Sequence, residues 1–170
     1  MNKDGLVVIQ AGGTGSGKTT NTKKIISSFT GKKVIYVYDI DAEYTDFYRQ
    51  PYEPLNKFFD RVVKLKNSVV VFEEAALFFE HGRADTDLKE MIICARRRGN
   101  IIIFNFHQLR QIPIYILAYS NFLLIKKTTS DSVKRFKEME MMEIVNAHEQ
   151  VKYSKDYYET ATVNLRPRVS

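Results

Sequence analysis

The sequence holds a single cysteine, Cys94, so no internal disulfide can form and a reducing compartment is the natural setting. Cys94 lies in an apolar helical stretch, where a small buried side chain is the plain reading. Long apolar runs are also lacking. The longest candidate, Pro113 to Ile125, is interrupted by Ser120 and Asn121. It falls short of the eighteen or so residues that cross a bilayer, so no membrane span is expected. Met1-Asn2-Lys3-Asp4 leads straight into a strand pattern, and no cleavable leader is expected. There is no low-complexity tract, internal repeat or Pro/Gly-rich linker. The 170 residues are therefore read as one domain, with a core over about residues 6–127 and a C-terminal helix and edge strands over about 131–165.

What is present is ordinary for a soluble globular chain: 44% hydrophobic and 27% charged residues. The net charge of +6 leans toward a polyanionic partner such as nucleic acid, with a merely basic surface as the alternative. Leu6 to Ala11 is a nearly continuous apolar run, as a strand buried on both faces requires. A Gly-rich turn and a helix from about Lys18 to Phe29, closed by Gly31, follow. Val34–Tyr38, Ser68–Phe72, Asn100–Phe106 and Phe122–Lys126 read as further strands. Asp85 to Arg98 reads as a helix with acidic residues first and three arginines last, which suits the helix dipole, and Gly99 stops it. Tyr44 to Asn67 reads as irregular, with Pro51 and Pro54 marking a turn. Pro113 opens a short helix, and Asp131 to about His148 reads as one amphipathic helix. Beyond Val151 the pattern around Tyr153 to Leu165 suits a local hairpin or a strand added to a neighbour. Strands separated by helices in this order predict an α/β fold, with a mainly parallel sheet doubly wound by helices.

Gly12-Gly13-Thr14-Gly15-Ser16-Gly17-Lys18-Thr19 satisfies G-x-x-x-x-G-K-[ST], with Thr20 next in the opening helix. Glycines let successive backbone N–H groups turn inward around phosphate oxygens, and the helix points its positive end at the same anion. Lys18 supplies a mobile charge for the β- and γ-phosphates of ATP, and the Thr19 hydroxyl can ligate Mg²⁺. A random chain of this length would match on the order of 1% of the time or less. Here the match also sits where a strand must give way to a helix.

Val69-Val70-Val71-Phe72-Glu73-Glu74 delivers two carboxylates at the end of a strand, the edge that faces ligand in an α/β sheet. If both turn toward the nucleotide, Glu73 holds the Mg²⁺ water shell and Glu74 orients and deprotonates the attacking water. The alternative is a pair of solvated charges.

From Leu6 to Lys127 the chain resembles the FtsK/HerA superfamily of ring-forming, DNA-pumping ATPases. Besides the two nucleotide motifs, three features carry the resemblance: Asp39-Ile40-Asp41-Ala42-Glu43-Tyr44, similar to D-x-x-x-E-Y; Ala95-Arg96-Arg97-Arg98-Gly99, similar to R-x-x-G; and Gln108 past strand four. Glu73 departs from the family's aspartate; its longer arm can still reach Mg²⁺ through water. The resemblance implies a three-layer P-loop NTPase fold of RecA/ASCE type, with strand four between the strands carrying Gly12 and Glu73. It places Gln108 beside the γ-phosphate as a sensor, the alternative being an exposed loop residue. It makes Arg96 the arginine that acts across a subunit interface in a homohexamer, with Arg83 or Arg98 as substitutes and dipole-compensating surface charge as the alternative. His107 reads as a neighbour filling the strand end.

Among such motors the chain resembles the small genome-packaging ATPases of viruses with an internal membrane. That implies DNA as cargo, double-stranded with single-stranded as the alternative, a viral capsid or portal vertex as docking partner, and a place in the host cytoplasm or on the virion. Filamentous-phage assembly ATPases of the Zot type are the nearest alternative. A small-molecule P-loop kinase and a slow nucleotide switch are the competing classes; the paired carboxylates and Gln108 weigh against the kinase.

Overall fold

The computed structural model describes residues 5–29, 33–45, 47, 54–80, 85–128 and 133–165. Among the described residues six strands form one sheet: β1 (Leu6–Ala11), β2 (Val34–Tyr38), β3 (Ser68–Phe72), β4 (Ile101–Phe106), β5 (Phe122–Lys126) and β6 (Thr160–Asn164). Their order across the sheet is β2-β3-β4-β1-β5-β6. The first five are parallel, and β6 runs antiparallel to β5, with Ile125 opposite Ala161. The chain therefore pairs its last strand with its own sheet. β4 lies between β1 and β3, as the family resemblance implied.

Helices cover both faces, and side-chain alternation assigns each strand residue to one of them. Val8, Val69, Val71, Ile101 and Ile103 pack with Ile26 of α1 (Lys18–Ser27). Val7, Ile9, Val70, Phe72, Ile102 and Phe104 face the larger core on the other side. That core is completed by α2 (Leu55–Val62), α3 (Ala76–Glu80), α4 (Asp85–Arg98), α5 (Ile114–Tyr119), α6 (Lys134–Glu138) and α7 (Met142–Tyr153). Because both faces are buried, the inner strands show no polar alternation, which is why they read as unbroken apolar runs. Phe72 and Phe104 stack at 4.9 Å and Phe78 meets Phe72 edge-on at 4.4 Å, anchoring this core.

Three expectations change. The stretch read as irregular contains α2, whose Phe58 and Val62, one turn apart, are both buried. The last long helix is two: α6 ends near Met139, Glu140 takes φ 58, and α7 starts at Met142. The first helix ends at Ser27. Its expected stop at Gly31 lies outside the described residues, as do Pro51, Arg83 and Asp131. Gly99 stops α4 as expected, with φ +68 and the Asn100 N–H returning to the Ala95 carbonyl at 2.9 Å.

Candidate functional site

The glycine-rich loop leaves β1 at the centre of the sheet and is fastened on both sides. The Gly12 N–H donates to the Phe106 carbonyl of the β4 side at 3.1 Å, and the Gly13 N–H to the Lys127 carbonyl beyond β5 at 2.9 Å. Gly12 has no room for a side chain: a Cβ there would meet Ser16 Oγ at 2.6 Å and Lys126 Cβ at 2.8 Å. Gly15 and Gly17 take φ +75 and +82, conformations that L side chains rarely adopt. Gly17 heads α1 without a side-chain cap, which leaves the first helical N–H groups to an outside acceptor. Ser16 Oγ is wholly buried and has no hydrogen-bond partner. A buried hydroxyl without a partner in such a loop is open to an outside ligand.

Lys18, only 7% exposed, spans this loop by donating to the carbonyls of Gly12 at 2.7 Å and Gly13 at 3.2 Å. Burial pulls its ammonium pKa below the ordinary lysine value, and the nearby carboxylates of Glu73, Glu74 and Glu43 oppose that pull. Thr19 Oγ1 lies 2.8 Å from Glu43 Oε2 and 3.0 Å from Glu73 Oε1. One hydroxyl hydrogen can serve only one of two carboxylates. Three hard oxygen donors thus converge at one point, a donor set that fits Mg²⁺ completed by phosphate and water oxygens. Among the described residues no three of His, Cys, Asp and Glu are grouped to hold a metal by themselves.

The position of Glu73 follows from strand parity. It continues the face of Val69 and Val71, under α1, and so reaches Thr19. Gln10 and Asn105 share that face on the neighbouring strands and are opposite each other in register. Gln10 Nε2 donates to Thr22 Oγ1 at 2.6 Å and Asn105 Oδ1 at 2.8 Å, and all three residues are fully buried. Asn105 Nδ2 donates in turn to Glu73 Oε2, which also accepts from the Tyr44 hydroxyl. Burial, and then the Glu73 carboxylate, push the Tyr44 phenol pKa far up, so Tyr44 stays protonated and donates. Asp39 shapes this turn by accepting the N–H groups of Glu43 and Tyr44 at 3.0 and 2.9 Å.

Glu74 leaves on the opposite parity and does not join this cluster. Its two carboxylate oxygens lie 2.9 and 3.1 Å from His107 Nε2. His107, read as filler, is the partner of Glu74. Gln108 begins the turn Leu109–Gln111, and its backbone N–H donates to Gln111 Oε1 at 2.9 Å.

Arg96, which the resemblance casts as acting across a subunit interface, lies far from the cradle of its own chain. α4 ends where β4 begins, at the amino edge of the sheet. A Cβ on Gly5, just before β1, would meet the Arg96 Cα at 2.7 Å. The six residues of β1, about 20 Å at 3.3 Å each, separate that point from Gly12. Arg98 is engaged at the same edge, with the Val63 carbonyl and with Glu90, both at 2.6 Å, and Arg97 reaches Cys94 Sγ at 3.0 Å.

Glu43, Tyr44, Gln10, Thr22 and Asn105 were not singled out as site residues. Gln10 and Asn105 carried a signal, each a lone polar side chain near the end of an otherwise apolar strand.

No protein-family model and no curated relative matches the sequence. Solved structures do. The genome-packaging NTPase B204 of Sulfolobus turreted icosahedral virus 2, in complex with AMPPCP, matches at TM-score 0.77 and 19% identity over 96% of this chain and 94% of that one. B204 of Sulfolobus turreted icosahedral virus, a DNA-packaging ATPase, matches at 0.76 and 18% over 97% and 94%. EssC ATPases 2 and 3 of Geobacillus thermodenitrificans match at 0.60 and 15%, over 79% of this chain and 34% of theirs. The fold of this chain is accordingly the α/β P-loop fold shared by the B204 packaging ATPase and the EssC ATPase domains.

Proposed function

We propose that the chain is a Mg²⁺-dependent ATPase that drives DNA translocation, a genome-packaging motor of a virus, working as a homohexamer docked at a capsid or portal vertex in the host cytoplasm. The observation that carries the ATPase reading is the separation of the two carboxylates. Glu73 is committed to Thr19, Tyr44 and Asn105, whereas Glu74 is held by His107 outside that shell. A hydrolase needs both: one acid fixed in the cation shell and another free to accept a proton from water.

In this reading backbone N–H groups between Thr14 and Thr20 and the Lys18 ammonium bind and orient the phosphates of ATP. Thr19 and Glu73 would hold Mg²⁺, with Glu43 beside the same hydroxyl, and the ion would neutralise charge developing on the phosphates. Tyr44 and Asn105 keep the Glu73 carboxylate aimed. Glu74 accepts the proton of the attacking water once His107 lets it turn. The likeness to B204 supports packaging as the task, and the net charge of +6 suits a polyanionic cargo. Among the described residues no helix is long and apolar enough to cross a membrane.

The test is ATP hydrolysis with and without double-stranded DNA, alongside particle images of the assembly. We expect DNA-stimulated turnover from ring-shaped particles, and none from Lys18→Ala, whose phosphate cradle lacks its mobile charge. Turnover that ignores DNA, from a monomer, removes the motor reading. Near-normal turnover in Lys18→Ala removes the ATPase site as well.

A further inference from the structure

The segment joining α7 to β6 lies along the P-loop. Lys127 Nζ donates to the Ser154 carbonyl at 3.3 Å; Lys126 Nζ donates to the Tyr158 carbonyl at 3.3 Å and to Thr160 Oγ1 at 2.7 Å. The Tyr157 hydroxyl reaches the Thr14 carbonyl at 3.4 Å. Tyr158 stands so close to Gly17 that a Cβ on that glycine would come within 3.3 Å of its ring. The two tyrosine rings meet edge to face, centroids 5.5 Å apart at 89°. The backbone is thus fastened, yet Tyr158 is 64% exposed and Tyr157 46%. Two adjacent aromatic faces left to solvent beside the cradle can take a flat ligand group that covers them.

Strand order tells which group that is. Running across the sheet as β3-β4-β1-β5-β6, it puts Glu73 and Glu74 on one flank of the cradle and the tyrosines on the other. A nucleoside triphosphate has the same asymmetry, with reacting phosphate at one end and a flat base at the other. With the γ-phosphate toward the carboxylates, the base lies on the β5–β6 flank. The unpartnered, fully buried Ser16 Oγ in the loop independently marks the cradle between the two flanks as a ligand site.

We propose that the exposed ring of Tyr158, braced by Tyr157, is the stacking seat for the purine base of the nucleotide. This rests on the P-loop reading above. Stacking reads the area of a base rather than its exchangeable edge groups, so purines are preferred over pyrimidines.

The test is equilibrium binding of ATP, UTP and inorganic tripolyphosphate to the full chain and three variants. Tyr158→Ala should lose about 5- to 150-fold in ATP affinity, the worth of one base–aromatic stack. It should lose nothing for tripolyphosphate, and its preference for ATP over UTP should collapse. Tyr158→Phe should bind like the parent chain. Equal losses for ATP and tripolyphosphate would mean that the ring only props the loop, and unchanged ATP affinity would mean that the base lies elsewhere; either overturns the proposal. Lys18→Ala should weaken tripolyphosphate in every background. If it does not, the P-loop reading fails, whatever Tyr158→Ala does, and the proposal fails with it.

Discussion

Replacing Glu74 with glutamine changes one proton acceptor and little else, which makes Glu74→Gln the sharpest probe of the catalytic assignment. Both Glu74 oxygens face a single nitrogen of His107, at 2.9 and 3.1 Å. A glutamine keeps one carbonyl oxygen for that contact, so the fold loses little. The Lys18, Thr19 and Glu73 cluster keeps its hydrogen bonds, so Mg-ATP should bind with near-parental affinity. An amide cannot take a proton from water. General-base removal typically costs about 10²- to 10⁴-fold, which at 1.36 kcal/mol per decade raises the barrier by about 2.7–5.5 kcal/mol. Single-turnover hydrolysis with prebound ATP reads that step directly. Glu73→Gln should behave differently. Glu73 Oε2 accepts from both Tyr44 and Asn105, and an amide nitrogen turned toward either meets a donor rather than an acceptor. We expect a folded-state loss of about 1.5–3 kcal/mol, the worth of a hydrogen bond to a charged group, and weaker Mg²⁺-dependent binding. If Glu74→Gln turns over normally while Glu73→Gln binds ATP tightly and is inert, the two roles are reversed.

Gly12→Ala should abolish nucleotide binding while the sheet still forms, because the new methyl group meets Ser16 Oγ at 2.6 Å and Lys126 Cβ at 2.8 Å; far-ultraviolet circular dichroism beside a binding titration checks this. Tyr44→Phe should lower stability by about 1.5–3 kcal/mol at neutral pH, since Glu73 loses a donor. That deficit should shrink above pH 10, for an explicit reason. The folded phenol pKa is raised, so there the unfolded parent chain releases a proton that the folded one keeps, and the parent alone loses stability as pH rises. Urea unfolding at pH 7 and near pH 11 reads the difference. DNA binding should weaken with salt, with a log–log slope near −4.5 if about five phosphates are neutralised, measured by fluorescence anisotropy. A slope near zero would rule out a backbone-tracking surface.

The P-loop and the inner strands were legible because their signals are local: Gly12 to Thr19 is a contiguous motif, and strands buried on both faces are unbroken apolar runs. α2 was not, because Phe58 and Val62 sit in a short helix amid charged residues, just after Pro51 and Pro54. The break at Glu140 was hidden by Glu138 to Met142, all good helix formers that tertiary packing overrode. The distance of Arg96 from the cradle of its own chain is held in the chain order rather than in any local motif. A helix that runs into a parallel strand must end at the edge where strands begin, opposite the edge where they deliver Gly12 and Glu73. The pairing of Gln10 with Asn105 and of Glu74 with His107 depends on strand order and register, which no local pattern states.

The double fastening of the loop root has a mechanical meaning. The Gly12 and Gly13 amides are tied to opposite neighbours, one toward β4 and one toward β5, so the phosphate cradle cannot rock without breaking ladder bonds on both sides. It behaves as a fixed anvil. Movement during nucleotide turnover would fall instead on contacts made by side chains: Thr19 with Glu43, Glu74 with His107, and Tyr157 with the Thr14 carbonyl.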